Sequence, residues 1–117
     1  MIKVLVPVVL LTGCSMIPSF WDDNEAYGVA KIRHSVDAMD CTGPYMEQAQ
    51  KIQSDVRFLQ LYSSSKGSVD LLEMVDPMKE TIDGLVNKEE NPIFCKLKKG
   101  QLVKQSALIA DAAMERF

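Results

Sequence analysis

Apolar side chains recur along this sequence at alternating spacings of three and four residues, and this pattern constrains the fold more than any other feature. Such spacing places side chains on one face of an α-helix. Three segments carry it, at Val29, Ile32, Val36 and Met39, at Tyr45, Ala49, Ile52, Val56 and Leu59, and at Leu71, Val75, Met78, Ile82 and Leu85. A fourth has apolar positions that include Phe94, Leu97, Leu102, Ile109, Ala113 and Phe117. No alternating run of β-branched residues reaches strand length, so the pattern predicts an all-α protein.

Helix-start and helix-stop signals separate the four segments. They predict helices from about 24 to 40, from Pro44 to a turn at 63–67, from Ser68 to about 88, and from Asn91 and Pro92 onward. Pro77 is expected to kink or divide the third helix. Because the connections are short, consecutive helices pack side by side, and we expect a small antiparallel bundle of about four helices.

The first thirteen residues have the composition of an export signal. Lys3 supplies a positive start, residues 4–11 are apolar, and small residues precede Cys14. A membrane-spanning helix needs about 20 apolar residues, and this shorter run contains Pro7. Export is therefore expected. If Cys14 is there by chance, the segment is an ordinary secretory signal, and a buried N-terminal strand is the other alternative.

The segment Leu11-Thr12-Gly13-Cys14 resembles the lipobox of bacterial lipoproteins. The resemblance implies removal of residues 1–13 as a lipoprotein signal peptide, and attachment of acyl chains such as palmitate to Cys14. Because Ser15 rather than Asp follows, it also implies the periplasmic face of the outer membrane more than of the inner membrane. Several acyl chains hold a protein stably on a bilayer. The expected organisation is a signal peptide (1–13), a lipid anchor with a short tether (14–23) and a helical bundle domain (24–117).

Cys41 and Cys95 are expected to form one disulfide bond. Cys41 follows the first predicted helix and Cys95 lies in the first turn of the fourth, so an antiparallel bundle brings both to the same end. Export also places the chain in an oxidising compartment. Two buried free thiols are the alternative. With these two cysteines paired and Cys14 acylated, no thiol remains for zinc binding or catalysis.

The remaining polar residues give little sign of nucleic-acid binding or catalysis. The net charge is -3, whereas nucleic-acid binders concentrate basic residues. His34 is the one histidine and has no recognisable nucleophile motif beside it, so a surface position is expected. The carboxylates lack a di-metal pattern, and the isolated glycines form no phosphate loop. We expect a non-enzymatic protein without metal or cofactor; a small hydrolase with paired carboxylates is the less favoured alternative.

Lysines near the start of the fourth helix are the candidate partner-binding residues. This lysine patch consists of Lys96, Lys98, Lys99 and Lys104. Its first three members lie where the helix dipole disfavours positive charge. In the expected topology they lie at the bundle end far from the anchor. The functional interpretation is a contact with an acidic partner or anionic lipid headgroups. The alternative is a solvated face that Glu89 and Glu90 neutralise.

The lipobox, the size and the disulfide-linked helices together resemble the small all-helical lipoproteins of unknown function encoded by bacteria and tailed bacteriophages. From these features we expect a membrane-anchored protein that binds another envelope protein, as an adaptor, receptor blocker or lysis accessory. A structural envelope lipoprotein that self-associates is the alternative.

Overall fold

The computed structural model describes residues 20–116, which fold into four α-helices. Their bounds are Asp23–Ala38 (α1), Met46–Lys66 (α2), Val69–Val86 (α3) and Pro92–Met114 (α4). Helices α1 and α3 each pack against both α2 and α4. The predicted all-α antiparallel bundle is confirmed, and residues 20–116 contain no strand. The predicted signal peptide, Cys14 and most of the tether lie outside the described residues, as does Phe117.

Side chains cap the first turns of α1 and α4. Asp22 accepts hydrogen bonds from two backbone N–H groups of α1, at 2.9 and 3.0 Å. Asn91 does the same for α4, at 2.9 and 3.1 Å. Each bond satisfies a backbone donor that has no partner within its helix. Both helices therefore begin where the sequence signals predict.

Helix α2 begins and ends later than predicted. Pro44 precedes the helix instead of occupying its first turn, and Glu90 accepts hydrogen bonds from two backbone N–H groups there, at 2.6 and 3.0 Å. Residues 63–66, predicted as part of a turn, are helical. The stop comes from Gly67, whose φ of 85° is the left-handed conformation that glycine adopts without steric cost.

Helix α3 continues through Pro77, so the predicted division does not occur. Pro77 lies on the exposed side of the helix. Its carbonyl oxygen accepts a hydrogen bond from Thr81 Oγ1 at 3.0 Å. Thr81 Oγ1 in turn accepts from Nε2 of Gln105 on α4, at 3.0 Å. Side-chain hydrogen bonds thus support this part of α3 and tie it to its neighbour.

The core forms from the apolar positions that the three-and-four spacing identifies. Buried side chains from all four helices make one cluster, which includes Ile32, Val36, Ile52, Val56, Leu71, Val75, Ile82, Leu102 and Ile109. Met39 and Met78 belong to this core, whereas Met114 is exposed. Leu97, expected among the apolar positions of α4, lies on the outside. The α4 pattern predicted the helix correctly but did not separate its inner face from its outer face.

Cys41 and Cys95 form the predicted disulfide bond, with their Cα atoms 5.7 Å apart. The bond lies where α1 ends and α4 begins, and both cysteines are buried. We name this part of the bundle the disulfide end. At the opposite end, α1 and α3 begin and α2 and α4 end. We name it the polar end, after the buried side chains of Glu25, Ser63, Ser68 and Arg116.

Candidate functional site

The lysine patch lies at the start of α4, and Lys99 takes a structural position within it. Its Nζ donates to the backbone carbonyl oxygens of Asp37 and Met39, at 3.1 and 2.7 Å. These carbonyl oxygens are at the end of α1, where the last carbonyl groups of a helix have no N–H donor within the helix. A basic side chain is favourable there because the helix dipole is negative. Lys99 therefore caps α1, and this structural role explains its position without a contact to another protein.

Lys98 also contacts its own chain, whereas Lys96 and Lys104 extend into solvent. The Nζ of Lys98 lies 5.4 Å from the ring centroid of Phe94, and Lys88 lies over the same ring at 4.2 Å. Lys96 and Lys104 are exposed and form no ion pair with any described residue. Two of the four lysines thus remain free for an external contact.

Those two lysines share a surface with exposed apolar side chains. This outer face of α4 comprises Ile93, Lys96, Leu97, Gly100, Lys104 and Leu108. The spacing of its members places them on one side of the helix, opposite the buried Leu102 and Ile109. Ile93 is 81% exposed, and Leu97 and Leu108 are each 60% exposed. A helix with apolar residues on both faces is typical of one that packs on both faces.

The polar end contains a buried charge that sequence analysis missed. Glu25 is fully buried, and both its carboxylate oxygens accept hydrogen bonds. Oε2 accepts from Ser63 Oγ at 2.5 Å, and Oε1 from Ser68 Oγ at 3.1 Å. Oε1 also accepts from Lys66 Nζ at 2.8 Å and from Arg116 Nη1 at 2.7 Å. The donors come from α2, from the start of α3 and from the chain after α4, so one carboxylate joins four helix ends.

These contacts keep both members of the central ion pair charged. Burial acts to raise the pKa of Glu25, but hydrogen bonds from Lys66, Ser63, Ser68 and Arg116 outweigh it, and the pKa lies below its ordinary value. Burial acts to lower the pKa of Arg116, but its bonds to Asp70 and Glu25 raise it overall. The cluster is an ion network that links the ends of the four helices, and among its polar atoms Arg116 Nε is buried without a hydrogen-bond partner in residues 20–116.

A signal for this network exists in the sequence. Each buried polar residue lies three or four residues from an apolar core residue, so it continues the row of core-facing positions. The pairs are Glu25 with Val29, Ser63 with Leu59, Ser68 with Leu71, and Arg116 with Ala113. Polar residues that continue a core-facing row in all four helices indicate a shared buried layer.

A second surface feature lies between α1 and α2. This α1/α2 groove has a volume of about 510 Å³ and is lined by Asn24, Tyr27, Gly28, Lys31, Ser54, Asp55, Phe58 and Tyr62. A smaller depression of about 210 Å³ follows it toward the disulfide end, beside His34 and Lys51. His34 is exposed, as predicted.

Comparisons with family models, with curated proteins and with solved structures give no match to this chain. Within residues 20–116, no helix has the length and apolar character needed to cross a membrane. In the same part of the chain, no three His, Cys, Asp or Glu side chains are grouped as a metal site.

Proposed function

We propose that this protein is a membrane-anchored, non-enzymatic lipoprotein that binds another envelope protein through the outer face of α4. The observation that carries the proposal is the exposure of Ile93, Leu97 and Leu108 along one line of a well-packed helix. Exposed apolar groups aligned on one helix face, rather than scattered singly over the surface, are typical of protein contact surfaces. Lys96 and Lys104 border this line, which favours a partner with apolar and acidic side chains.

The proposed anchor is Cys14, and its support is the resemblance of residues 11–14 to a lipobox. An extended chain from Cys14 to Phe20 spans at most about 20 Å. An anchored protein would thus keep its polar end near the bilayer. The 23 residues of α4 extend about 34 Å along the bundle from there. Ile93, Lys96 and Leu97 would then lie farthest from the membrane, where a partner from the periplasm reaches them.

A matched pair of variants tests the contact. Leu97 on α4 and Leu61 on α2 are 60% and 57% exposed, and α2 does not contact α4 among the described residues. We expect Leu97→Glu to abolish capture of the partner after chemical crosslinking in intact cells, because a charge enters the apolar line. Leu61→Glu should retain the partner. Equal capture by both variants would refute the α4 contact.

Metabolic labelling with palmitate tests the anchor independently. Cys14→Ser should remove the label and release the protein from the membrane fraction, because no described helix can span a bilayer. Persistent label in this variant would mean that acylation occurs elsewhere.

Self-association is the second candidate, and a charge asymmetry on α4 favours it. The outer face carries Lys96 near its start and Lys104 just past the middle of α4, whereas the exposed Asp111 and Glu115 follow toward the polar end. An antiparallel pair of α4 helices from two copies would bring opposite charges together, but its two polar ends would point in opposite directions, so tethers of about 20 Å allow this pair only between copies held on facing bilayers. Light scattering on the lipidated protein in detergent micelles distinguishes the two. An oligomer that Leu97→Glu converts to a monomer, with no foreign protein captured, would favour self-association.

A further inference from the structure

The α1/α2 groove combines aromatic walls with a carboxylate. Tyr27 projects from α1 and Phe58 from α2, and they are 71% and 63% exposed. The ring of Phe58 stacks against that of Tyr62, with centroids 6.3 Å apart and an angle of 23° between the planes. The faces of aromatic rings carry negative electrostatic potential, so they attract cations.

Asp55 in this groove has incomplete hydrogen bonding. Its Oδ2 is buried and accepts no hydrogen bond from any described residue. Its Oδ1 lies 3.7 Å from Nζ of Lys31, which is longer than a hydrogen bond. A carboxylate removed from water without a full set of donors is costly, in contrast to Glu25, whose two oxygens are satisfied. The Asp55 side chain as a whole is 19% exposed, so a ligand with N–H donors in the groove would bond to Oδ1, and to Oδ2 once the carboxylate turns toward it.

Lys31 does not block the access of a ligand to Asp55. Its side chain is 44% exposed, and an ion pair at this distance and exposure contributes little to stability. An incoming cation can therefore displace the Lys31 ammonium from Asp55 at low cost. The groove volume of about 510 Å³ also leaves room for a side chain and its stem.

We propose that the α1/α2 groove binds an arginine side chain presented by a protein partner. A guanidinium group is planar, so it stacks on aromatic rings while it donates two parallel hydrogen bonds to one carboxylate. The walls formed by Tyr27 and Phe58 match the first property, and Asp55 matches the second once its carboxylate turns Oδ2 into the groove. An ammonium group offers only a point charge. The net charge of -3 further favours a basic partner surface.

The position of the groove favours a protein over a lipid headgroup. Asp55 lies seven residues before Tyr62, which is about 10 Å along α2 away from the polar end. The groove opens along the side of two helices, whereas the chain toward Cys14 leaves from the end at Phe20. This site is separate from the outer face of α4, and its binding chemistry does not depend on that contact.

Titration of the lipidated full-length protein in detergent micelles tests the site. The probe is arginine amide, the matched control is citrulline amide, which has the same shape without the charge, and the readout is the aromatic NMR signals of Tyr27 and Phe58. We expect saturable shifts with arginine amide and at least tenfold weaker binding of citrulline amide. Equal affinity for the two would overturn the proposal.

Variants assign the binding to the carboxylate and the rings. Asp55→Asn and Phe58→Ala should each weaken arginine amide binding about tenfold, and Lys31→Met should strengthen it, because a competing cation is removed. Glu47→Gln, on the exposed start of α2, is the control and should change nothing. Unchanged affinity in Asp55→Asn, with a thermal melt that reports a folded protein, would overturn the proposal. Tighter binding of ethanolamine than of arginine amide would also overturn it and assign the groove to a lipid headgroup.

Discussion

The two ends of the bundle hold the same four helices by different means. At the disulfide end, a covalent bond joins Cys41 to Cys95, and Lys99 and Glu90 supply backbone caps. At the polar end, a buried carboxylate, Glu25, accepts hydrogen bonds from surrounding cations and hydroxyl groups. The first arrangement depends on redox conditions and the second on protonation. An anchored protein with this fold would therefore secure its outward end covalently and its bilayer end electrostatically.

Removal of the disulfide bond should have the largest effect. The bond closes a loop between residues 54 positions apart, and its loss in Cys41→Ala/Cys95→Ala should lower the free energy of unfolding by about 4 kcal/mol. Urea denaturation measures the change, and amide hydrogen exchange should accelerate first near the ends of α1 and α3. A loss of less than about 1 kcal/mol would mean that packing and caps already hold this end.

Loss of the buried Glu25 carboxylate should have the second-largest effect on the free energy of unfolding. Glu25→Ala leaves Arg116, whose side chain is only 2% exposed, with one acidic partner instead of two. We expect the free energy of unfolding to fall by about 3 kcal/mol, since an uncompensated buried charge is costly. Glu73→Ala, an exposed change on α3, is the matched control and should lie within about 0.5 kcal/mol of the unmodified protein. Equal losses of unfolding free energy in the two variants would contradict a stabilising role for the Glu25 network.

Acid should weaken the polar end through Glu25, and it should also act nearer the disulfide end, where hydrogen bonds lower the pKa of Asp40 and of Asp83. The pKa of Glu25 is lowered in the folded state, so its contribution to stability is present above the ordinary value of 4.5 and is lost as the pH falls through the folded pKa. Hydrogen bonds from backbone N–H groups likewise lower the pKa of Asp22. Urea denaturation from pH 7 to pH 2 should therefore give a smaller acid loss for Glu25→Gln than for the unmodified protein. Parallel curves would show that Glu25 does not titrate differently on unfolding.

The smallest expected effect separates the members of the lysine patch. Lys99→Met removes the two hydrogen bonds to the end of α1 and should lower stability by about 1 kcal/mol. Lys96→Met should leave stability unchanged, because Lys96 is exposed. Thermal melts of both variants test this, and a stability loss for Lys96→Met alone would reverse the assigned roles.

Sequence reasoning predicted the helices and the disulfide because both follow from local spacing and topology. Glu25 and Arg116 lie on the same spacing. Because charged side chains are usually exposed, the spacing of one helix did not indicate that these two are buried. The acceptors of Lys99 belong to a helix more than fifty residues earlier in the chain, which no local pattern identifies. The α1/α2 groove depends on the separation between two helices. That separation is a property of packing, and it is not encoded in the spacing of either helix.

Site-specific photo-crosslinking in living cells tests most directly the proposed contact between the outer face of α4 and another envelope protein. A photoreactive amino acid would replace Ile93, Leu97, Lys104 or Leu108 in turn, with Leu61 on α2 as the matched control position. We expect one protein to be crosslinked from the α4 positions, most strongly at 93 and 97, and no crosslink to that same protein from position 61. Crosslinks to that protein of equal strength from position 61, or none from α4, would contradict the proposed contact.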